Sequence, residues 1–331
     1  LNHLRKKFGF QDGSEITFEI DPASFTQNDL IAFLDAGINR ISLGGQSFNN
    51  RVLKHLGRRH RQDQLIEACS LLENIFKQRK LKSWSLDLIQ NSPGHDLISW
   101  ESDLKEAMRY VPPHISIYDL SIEPGTVFAW KQKRGELNLP QEELALKMNR
   151  LTTSILQESG LARYEISNYA LPGHASRHNR VYWSGAGWWA FGMGATSAPW
   201  GERFARPRTR DQYCCWINQQ EIKGLEPSLI SKNSKAFNFD DQLIVGLRRR
   251  EGVNLELMAE DWGWDKKQSA TYLQSLKSRW QNLIRHGLLK KNGDRFFLSD
   301  PEGIEISNQI LIEMLLWWDS LPASAVEPPI L

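Results

Sequence analysis

The sequence predicts a parallel α/β fold of the barrel type, followed by a small winged-helix-like α+β domain. Three observations carry this. Strand-like and helical runs alternate from Glu15 to Gly160, each pair taking roughly 30–40 residues, which is the rhythm of parallel α/β folds. Hydrogen-bonding residues gather where those strands end. Late in the chain a series of helices is closed by an Asn-Gly hairpin signal.

The first strand is Glu15–Ile20 (EITFEI), stopped by Asp21-Pro22 because proline lacks the N–H a sheet needs. Ser24–Ala36 follows with helical spacing at Leu30, Phe33 and Leu34, closed by Gly37. Ile38–Leu43 is the second strand, and Gln62–Phe76 a helix with Leu65, Ile66, Leu71, Leu72 and Phe76 at helical spacing. A strand at Trp84–Ile89 and a helix at Leu97–Tyr110 make the third pair. The fourth is Ile115–Leu120 with the long helix Glu142–Ser159, ended by Gly160. Parallel α/β folds keep their chemistry where strands end and βα loops begin. Those ends carry Glu19 and Asp21, then Gln46, then Asp87, then Tyr118 and Asp119, with Arg58 just after the second. Singly, each reads as a cap or a loop residue. Together they read as a polar small-molecule site at one mouth.

Tyr164–Trp183 (YEISNYALPGHASRHNRVYW) is the stretch around which the chain is organised. Its second half shows no helical or strand period and is expected to be a long ordered loop. Such loops are functional or disordered, and this one is too aromatic for disorder. The following SGAGWWAFGMGATSAPWG is rich in Gly and aromatics. Its glycines suit either close approach to a ligand or tight turns, and it lacks the Lys-Ser/Thr ending of a phosphate loop.

At 331 residues the chain holds one large or two ordinary domains. A net charge of +2 leaves no overall basicity to signal nucleic acid. Thirteen tryptophans point to flat aromatic surfaces, to a Trp-rich core, or to both. Cys69, Cys214 and Cys215 give neither metal spacing nor a disulfide framework, which fits a reducing cytoplasm. No apolar run is long enough to span a bilayer. The polar, turn-rich Pro227–Ser234 marks the expected boundary, giving domains at 1–226 and 235–320. Beyond it come helices at Asp240–Arg250, Asn254–Glu260 and Lys266–His286, and a hairpin at Leu288–Leu298 around Asn292-Gly293-Asp294. A DNA-reading helix is weighed here, but eleven basic against nine acidic residues from Ala236 to Asp300 do not make a basic face.

The runs EITFEIDP, GINRISLGGQSFN, LGRRH, LDLI, HISIYDLSIEPGT, YEISNYALPG and HNRVYW occur in this order. Together they resemble the oxygen-independent coproporphyrinogen III oxidase-like branch of the radical S-adenosylmethionine (SAM) proteins, and within it the heme chaperones. The resemblance runs from Ile16 to the end of the chain. It implies a partial (βα)6 barrel holding SAM at the strand carboxyl ends and a carboxy-terminal domain of the family's type. Glu19 and Gln46 would lie at the SAM site, Arg58 facing its carboxylate, Asp87 its ribose, with Tyr118 lining the cavity. The residue types suit this, since a carboxylate accepts from both ribose hydroxyls and an Arg fork matches a carboxylate.

HNRVYW is similar to the signature that separates the heme chaperones from the oxidases. Carried over, His178 is the expected heme-iron ligand, Asn179 its neighbour in the motif, and Tyr182 and Trp183 pack on the porphyrin. The bland alternative has His178 and Asn179 only tying the loop to its backbone. The implied function is heme binding and delivery to respiratory proteins, with heme, its acceptors and a second copy of the chain as partners and no nucleic acid. Radical-SAM oxidation of coproporphyrinogen III is the alternative. The family's CxxxCxxC loop for a [4Fe–4S] cluster is expected ahead of Leu1, and the three cysteines present do not replace it. After Asp87-Leu88-Ile89 the family's Gly-Leu-Pro-Gly turn is replaced by Gln90-Asn91-Ser92-Pro93-Gly94, losing the small residue that lets the backbone approach SAM.

Overall fold

A computed structural model describes residues 1–199, 203–223 and 238–327. Contacts divide the chain into two compact units, Leu1–Ala175 and Ser176–Leu331. The boundary expected at Pro227–Ser234 lies outside the described residues.

The first unit is built on one six-stranded sheet, ordered β1-β2-β3-β4-β6-β5. Its strands are β1 (Thr17–Ile20), β2 (Arg40–Gln46), β3 (Ser83–Gln90), β4 (His114–Asp119), β5 (Ala162–Glu165) and β6 (Asn168–Ala170). Strands β1 to β4 are parallel, with Phe18 opposite Ile41, Ile41 opposite Trp84 and Leu86 opposite Ile115. The sequence expectation differs at the end of the sheet. YEISNYA does not continue the parallel run but folds back as a β5–β6 hairpin, with β6 antiparallel to β4. The turn is tied by its own side chains: Ser167 N donates to Glu165 Oε2 at 3.1 Å, and Asn168 Nδ2 donates to Glu165 Oε1.

Helices Gln27–Asp35, Gln62–Lys77, Leu97–Met108 and Glu142–Glu158 join the strands. Two of them start where a side chain fills orphan N–H groups of the first turn, Thr26 with Asp29 and Asp96 with Ser99, and at the start of a third Arg61 N donates to Gln64 Oε1 at 3.0 Å. Their apolar stripes cover Ile41, Leu43, Leu86, Leu88, Ile115 and Ile117, all buried. Trp100 is fully buried and its Nε1 donates to Thr152 Oγ1 at 2.9 Å, joining two of these helices. The opposite sheet face is different. Alternation along each strand turns Arg40, Ser42, Ser83, Ser85, Asp87, His114 and Ser116 to it. Parallel strands covered on both faces read as continuous apolar runs, so this polar alternation marks a face built to meet something polar.

The second unit opens with helix Arg177–Trp183 and a two-stranded ribbon, β7 (Thr196–Ser197) with β8 (Phe204–Ala205). Helices Arg210–Lys223, Phe239–Leu247, Leu255–Trp262 and Lys266–Arg285 follow. The three-stranded sheet β10-β11-β9 is made of β9 (Val253–Asn254), β10 (Leu289–Asn292) and β11 (Arg295–Leu298). Asn292 pairs with Arg295 across Gly293-Asp294, as the Asn-Gly signal predicts. Helix Ser307–Asp319 completes the winged-helix-like arrangement around Phe239, Trp262, Trp264, Trp280, Trp317 and Trp318. Phe239 and Trp318 stack at 5.4 Å, and the Trp262 and Trp264 indole N–H groups both reach Ala325 O, at 2.9 and 3.0 Å. Much of the tryptophan content is therefore core. Among the described residues no helix is long and apolar enough to cross a membrane.

Candidate functional site

The strand-end residues fall at one edge of the first unit. Glu19 is the penultimate residue of β1, exposed and opposite Ser42. Arg58 reaches back to Asp21, just past β1, with Nη1 3.7 Å from Oδ1. Both side chains are well exposed, so the pair is worth little by itself and orients the guanidinium at the mouth. Gln46 ends β2 at φ +59° and is 6 % exposed, and its Oε1 is buried without a hydrogen-bond partner. A buried acceptor left unmade costs about 1–3 kcal/mol, and Gln46 Oε1 carries that cost here. Gly44 lets these side chains lie close over the backbone, since a Cβ there would stand 2.8 Å from Gln46 Nε2 and 3.4 Å from Asp21 Oδ1.

The left-handed backbone at Gln46 is held from behind. Asp103 on the Leu97–Met108 helix, 2 % exposed, accepts from Ser47 Oγ and from Phe48 N at 3.0 Å, and His95 Nε2 lies 3.2 Å from the same carboxyl. His60 Nε2 meets Gly45 O at 3.1 Å on the other side, and burial keeps its imidazolium below the usual range.

Asp87 lies at the centre of the polar face. Its Oδ2 accepts from Ser42 Oγ at 2.6 Å and its Oδ1 from Ser85 Oγ at 2.8 Å. Burial pushes the carboxyl above the usual carboxylate range, against the hydroxyls of Ser42, Ser116 and Ser85 and the Arg40 charge. The chain of contacts continues, with Ser85 Oγ 2.8 Å from His114 Nδ1 and His114 Nε2 2.8 Å from Tyr164 Oη. Burial holds the His114 imidazolium well below its ordinary range, aided by the charges of Arg40 and His174. Tyr118, on the same side of β4, has its hydroxyl raised to about 12 by burial and then by Asp87. Ser42, Ser85, Ser116, His114 and Tyr164 were not among the expected site residues. The signal was present as polar residues at every second position of RIS, SWSLD and HISIY. After β3, Asn91 takes φ +57°, a conformation better suited to glycine, and both Gln90 Nε2 and Asn91 Nδ2 donate to Asp119 Oδ1. The departing turn thus ties β3 to β4.

HNRVYW corrects the loop expectation: Arg177–Trp183 is a helix. Ser176 supplies the missing start signal, its Oγ accepting from Asn179 N at 3.2 Å. His178 and Tyr182, four residues apart, share one side with ring centroids 4.8 Å apart. Tyr182 in turn lies 4.6 Å from Trp188. His178 is exposed and Asn179 half-buried. Trp183, one residue on, points about 100° away around the helix. It lies 6.0 Å from the Arg248 guanidinium and lines a cavity of about 170 Å³ with Gln242, Arg249, Met258 and Arg295. Tyr182 and Trp183 therefore do not offer one common face. An Arg180–Glu251 pair at 2.8 Å ties the helix to the domain that follows. The SAM candidates all belong to the first unit and the heme candidates to the second.

The cysteines do not form a cluster site. Cys69 is buried in helix Gln62–Lys77, where burial pushes its thiol far up, while Cys214 and Cys215 are exposed neighbours on helix Arg210–Lys223. Among the described residues no group of three His, Cys, Asp or Glu is placed to hold a metal ion. These side chains do not fit a [4Fe–4S] cluster.

No protein-family model matches the chain. It is 38 % identical over 315 residues to the heme chaperone HemW of Synechocystis sp., covering 92 % of this chain and 74 % of that protein. With HemW of Lactococcus lactis it shares 30 % over 316 residues, covering 96 % and 79 %. With the mitochondrial radical S-adenosyl methionine domain-containing protein 1 of Bos taurus it shares 35 % over 330 residues, covering 94 % and 71 %. The solved structure of Escherichia coli coproporphyrinogen III oxidase (HemN), a radical SAM enzyme, superimposes with a TM-score of 0.69 over 96 % of this chain and 73 % of its own. At 18 % identity that likeness establishes the fold. The ordered motifs, the parallel sheet and these relatives lead to one assignment: the chain belongs to the HemW heme chaperone family of radical SAM proteins.

Proposed function

We propose that this protein is a heme chaperone that takes up heme at helix Arg177–Trp183 and passes it to heme-accepting respiratory proteins. The observation that carries the reading is the exposed His178 imidazole presented beside the Tyr182 ring on a capped helix. Neutral imidazole is a common axial donor to heme iron, and a flanking ring limits how the porphyrin lies. Trp183 supports the site from behind, through Arg248 and the carboxy-terminal helices. Asn179 fixes the start of the helix through its backbone.

SAM, when bound, supplies an activated sulfonium carbon–sulfur bond, and we assign its site to the mouth formed by Glu19, Gln46, Arg58, Asp87 and Tyr118. The unmet Gln46 Oε1 supports that assignment. Arg58 suits the methionine carboxylate and Asp87 the ribose. The reading divides the protein into a scaffold at 1–226 and a carboxy-terminal domain at 235–320, and makes it cytoplasmic and self-associating. Oxidation of coproporphyrinogen III has the shared fold alone in its favour.

Titration of the purified chain with hemin, followed in the Soret band, tests the proposal. Saturable binding is expected, with His178→Ala weakening it at least ten-fold, while His286→Ala, an exposed control, leaves it intact. A titration identical for His178→Ala and the parent chain rejects the site.

A further inference from the structure

Behind Asp87 runs a row of polar side chains that the SAM reading leaves without a task. Strand alternation and register build it. Ser85 and Asp87 share one face of β3, and Ser85 lies opposite His114 on β4. Ser85 Oγ stands 2.8 Å from Asp87 Oδ1 and 2.8 Å from His114 Nδ1, while His114 Nε2 stands 2.8 Å from Tyr164 Oη. Asp87 is half-buried, whereas Ser85 is 2 % exposed and His114 1 %. Bulk water is kept from these inner links, so their protons are shared out among the side chains themselves. A serine hydroxyl holds one proton, and an uncharged imidazole has one donor nitrogen and one acceptor. Together these give the row a direction. A carboxylate only accepts, so an ionised Asp87 takes the Ser85 proton. Ser85 Oγ then has to accept from His114, whose single N–H must sit on Nδ1. That leaves Nε2 as an acceptor facing the Tyr164 hydroxyl. Run the other way, Ser85 would give its proton to Nδ1 and turn a lone pair on Asp87 Oδ1, which only a protonated carboxyl tolerates.

We infer that His114 is a positioning residue for the Asp87 carboxylate: as the Nδ1–H tautomer it turns the Ser85 hydroxyl onto Asp87 Oδ1, and Tyr164 holds that tautomer by donating to Nε2. The hydrogen bond made by one ring nitrogen sets which of the two carries the proton, and here both nitrogens are engaged. Burial works against the charged form of Asp87, while the hydroxyls of Ser42, Ser116 and Ser85 and the Arg40 charge work for it. Burial likewise keeps the His114 ring uncharged, with the Arg40 and His174 charges acting the same way. A firmly directed Ser85 donor therefore counts towards an ionised Asp87. The inference rests on the reading that Asp87 receives the SAM ribose: a carboxylate held from behind offers its open side to the ribose hydroxyls as an acceptor.

NMR of the histidine ring nitrogens in the full chain, without SAM, reads the tautomer directly, and the signal lost in His114→Asn assigns it. An uncharged ring protonated at Nδ1 is expected. Ser85→Ala should move that proton to Nε2, where it can still be donated to Tyr164 Oη. A ring protonated at Nε2 or at both nitrogens in the parent chain overturns the inference, as does an Nδ1–H signal that Ser85→Ala leaves unchanged. Equilibrium dialysis with SAM gives the second readout. Ser85→Ala and His114→Leu should each weaken binding about ten-fold, and His114→Asn, which keeps an N–H donor towards Ser85, should recover most of it. If His114→Leu loses its native circular dichroism, the parent spectrum and Ser85→Ala decide alone. SAM affinity equal in the parent chain, Ser85→Ala and His114→Leu overturns the inference and leaves the SAM assignment standing. A parent chain with the Nδ1–H tautomer that binds no SAM removes the SAM assignment and keeps His114 as the residue that positions Asp87.

Discussion

Asp103→Ala should unfold the support behind Gln46. The carboxyl is 2 % exposed and meets three groups: the Ser47 hydroxyl, the Phe48 N–H and His95 Nε2. Removing it strands those partners in a site too buried for water to replace it. A hydrogen bond to a charged group contributes about 1.5–3 kcal/mol. The three share one acceptor and do not add, so the expected loss is about 3–5 kcal/mol, the range for breaking a buried polar pair. For a unit the size of Leu1–Ala175, each kcal/mol moves the midpoint by about 2–4 °C, so its thermal transition should fall by roughly 10 °C. Ser47→Ala, which removes one donor and keeps the acceptor, should cost only about 1 kcal/mol. Circular dichroism melts of both variants decide it. A shift under about 2 °C for Asp103→Ala, or equal shifts for the two, would refute the view that this carboxyl holds the end of β2.

Gly44→Ala sets a methyl 2.8 Å from Gln46 Nε2, so the buried Gln46 side chain has to shift, and SAM affinity should fall about ten-fold (roughly 1.4 kcal/mol) in equilibrium dialysis. Ser176→Ala removes the cap of the motif helix and should cost about 1 kcal/mol of local stability. Hemin binding should weaken up to about five-fold with the His178 ligand still present, as a titration would read. The third expectation concerns pH. His114 is buried neutral, so the unfolded chain binds its proton first as pH falls through the ordinary histidine range near 6.5. Stability should therefore be full above that range and decline below it. His114→Gln, which can still face Ser85 and Tyr164, should flatten that decline in urea titrations at pH 7.5 and pH 5.5; an unchanged slope would count against it.

Strands β1 to β4, the helices Gln27–Asp35, Gln62–Lys77 and Leu97–Met108 and the carboxy-terminal hairpin were legible in the sequence, because each depends on local periods and turn residues; the short helix Asn50–His55 was not. Alternation in HISIY, helical spacing in QDQLIEACSLLENIF and the Asn292-Gly293 pair act within a few residues of chain. The strand-end set was legible for the same reason, since topology fixes which end of a parallel strand carries loops. Tertiary structure decided what depends on distant partners. The Arg177–Trp183 segment is short enough that its helix needs the Ser176 cap and the Arg180–Glu251 tie, seventy-one positions along the chain. Once helical, it turns Tyr182 and Trp183 to different sides, which no reading of a loop contains. The β5–β6 hairpin reverses against β4 through the Glu165 contacts of its own turn. Asp87 finds its serines on β2 and on its own strand, and the link to His114 crosses to β4. Serine and histidine carry no periodic apolar signal, and their roles are set by strand register, which forms only when the sheet does.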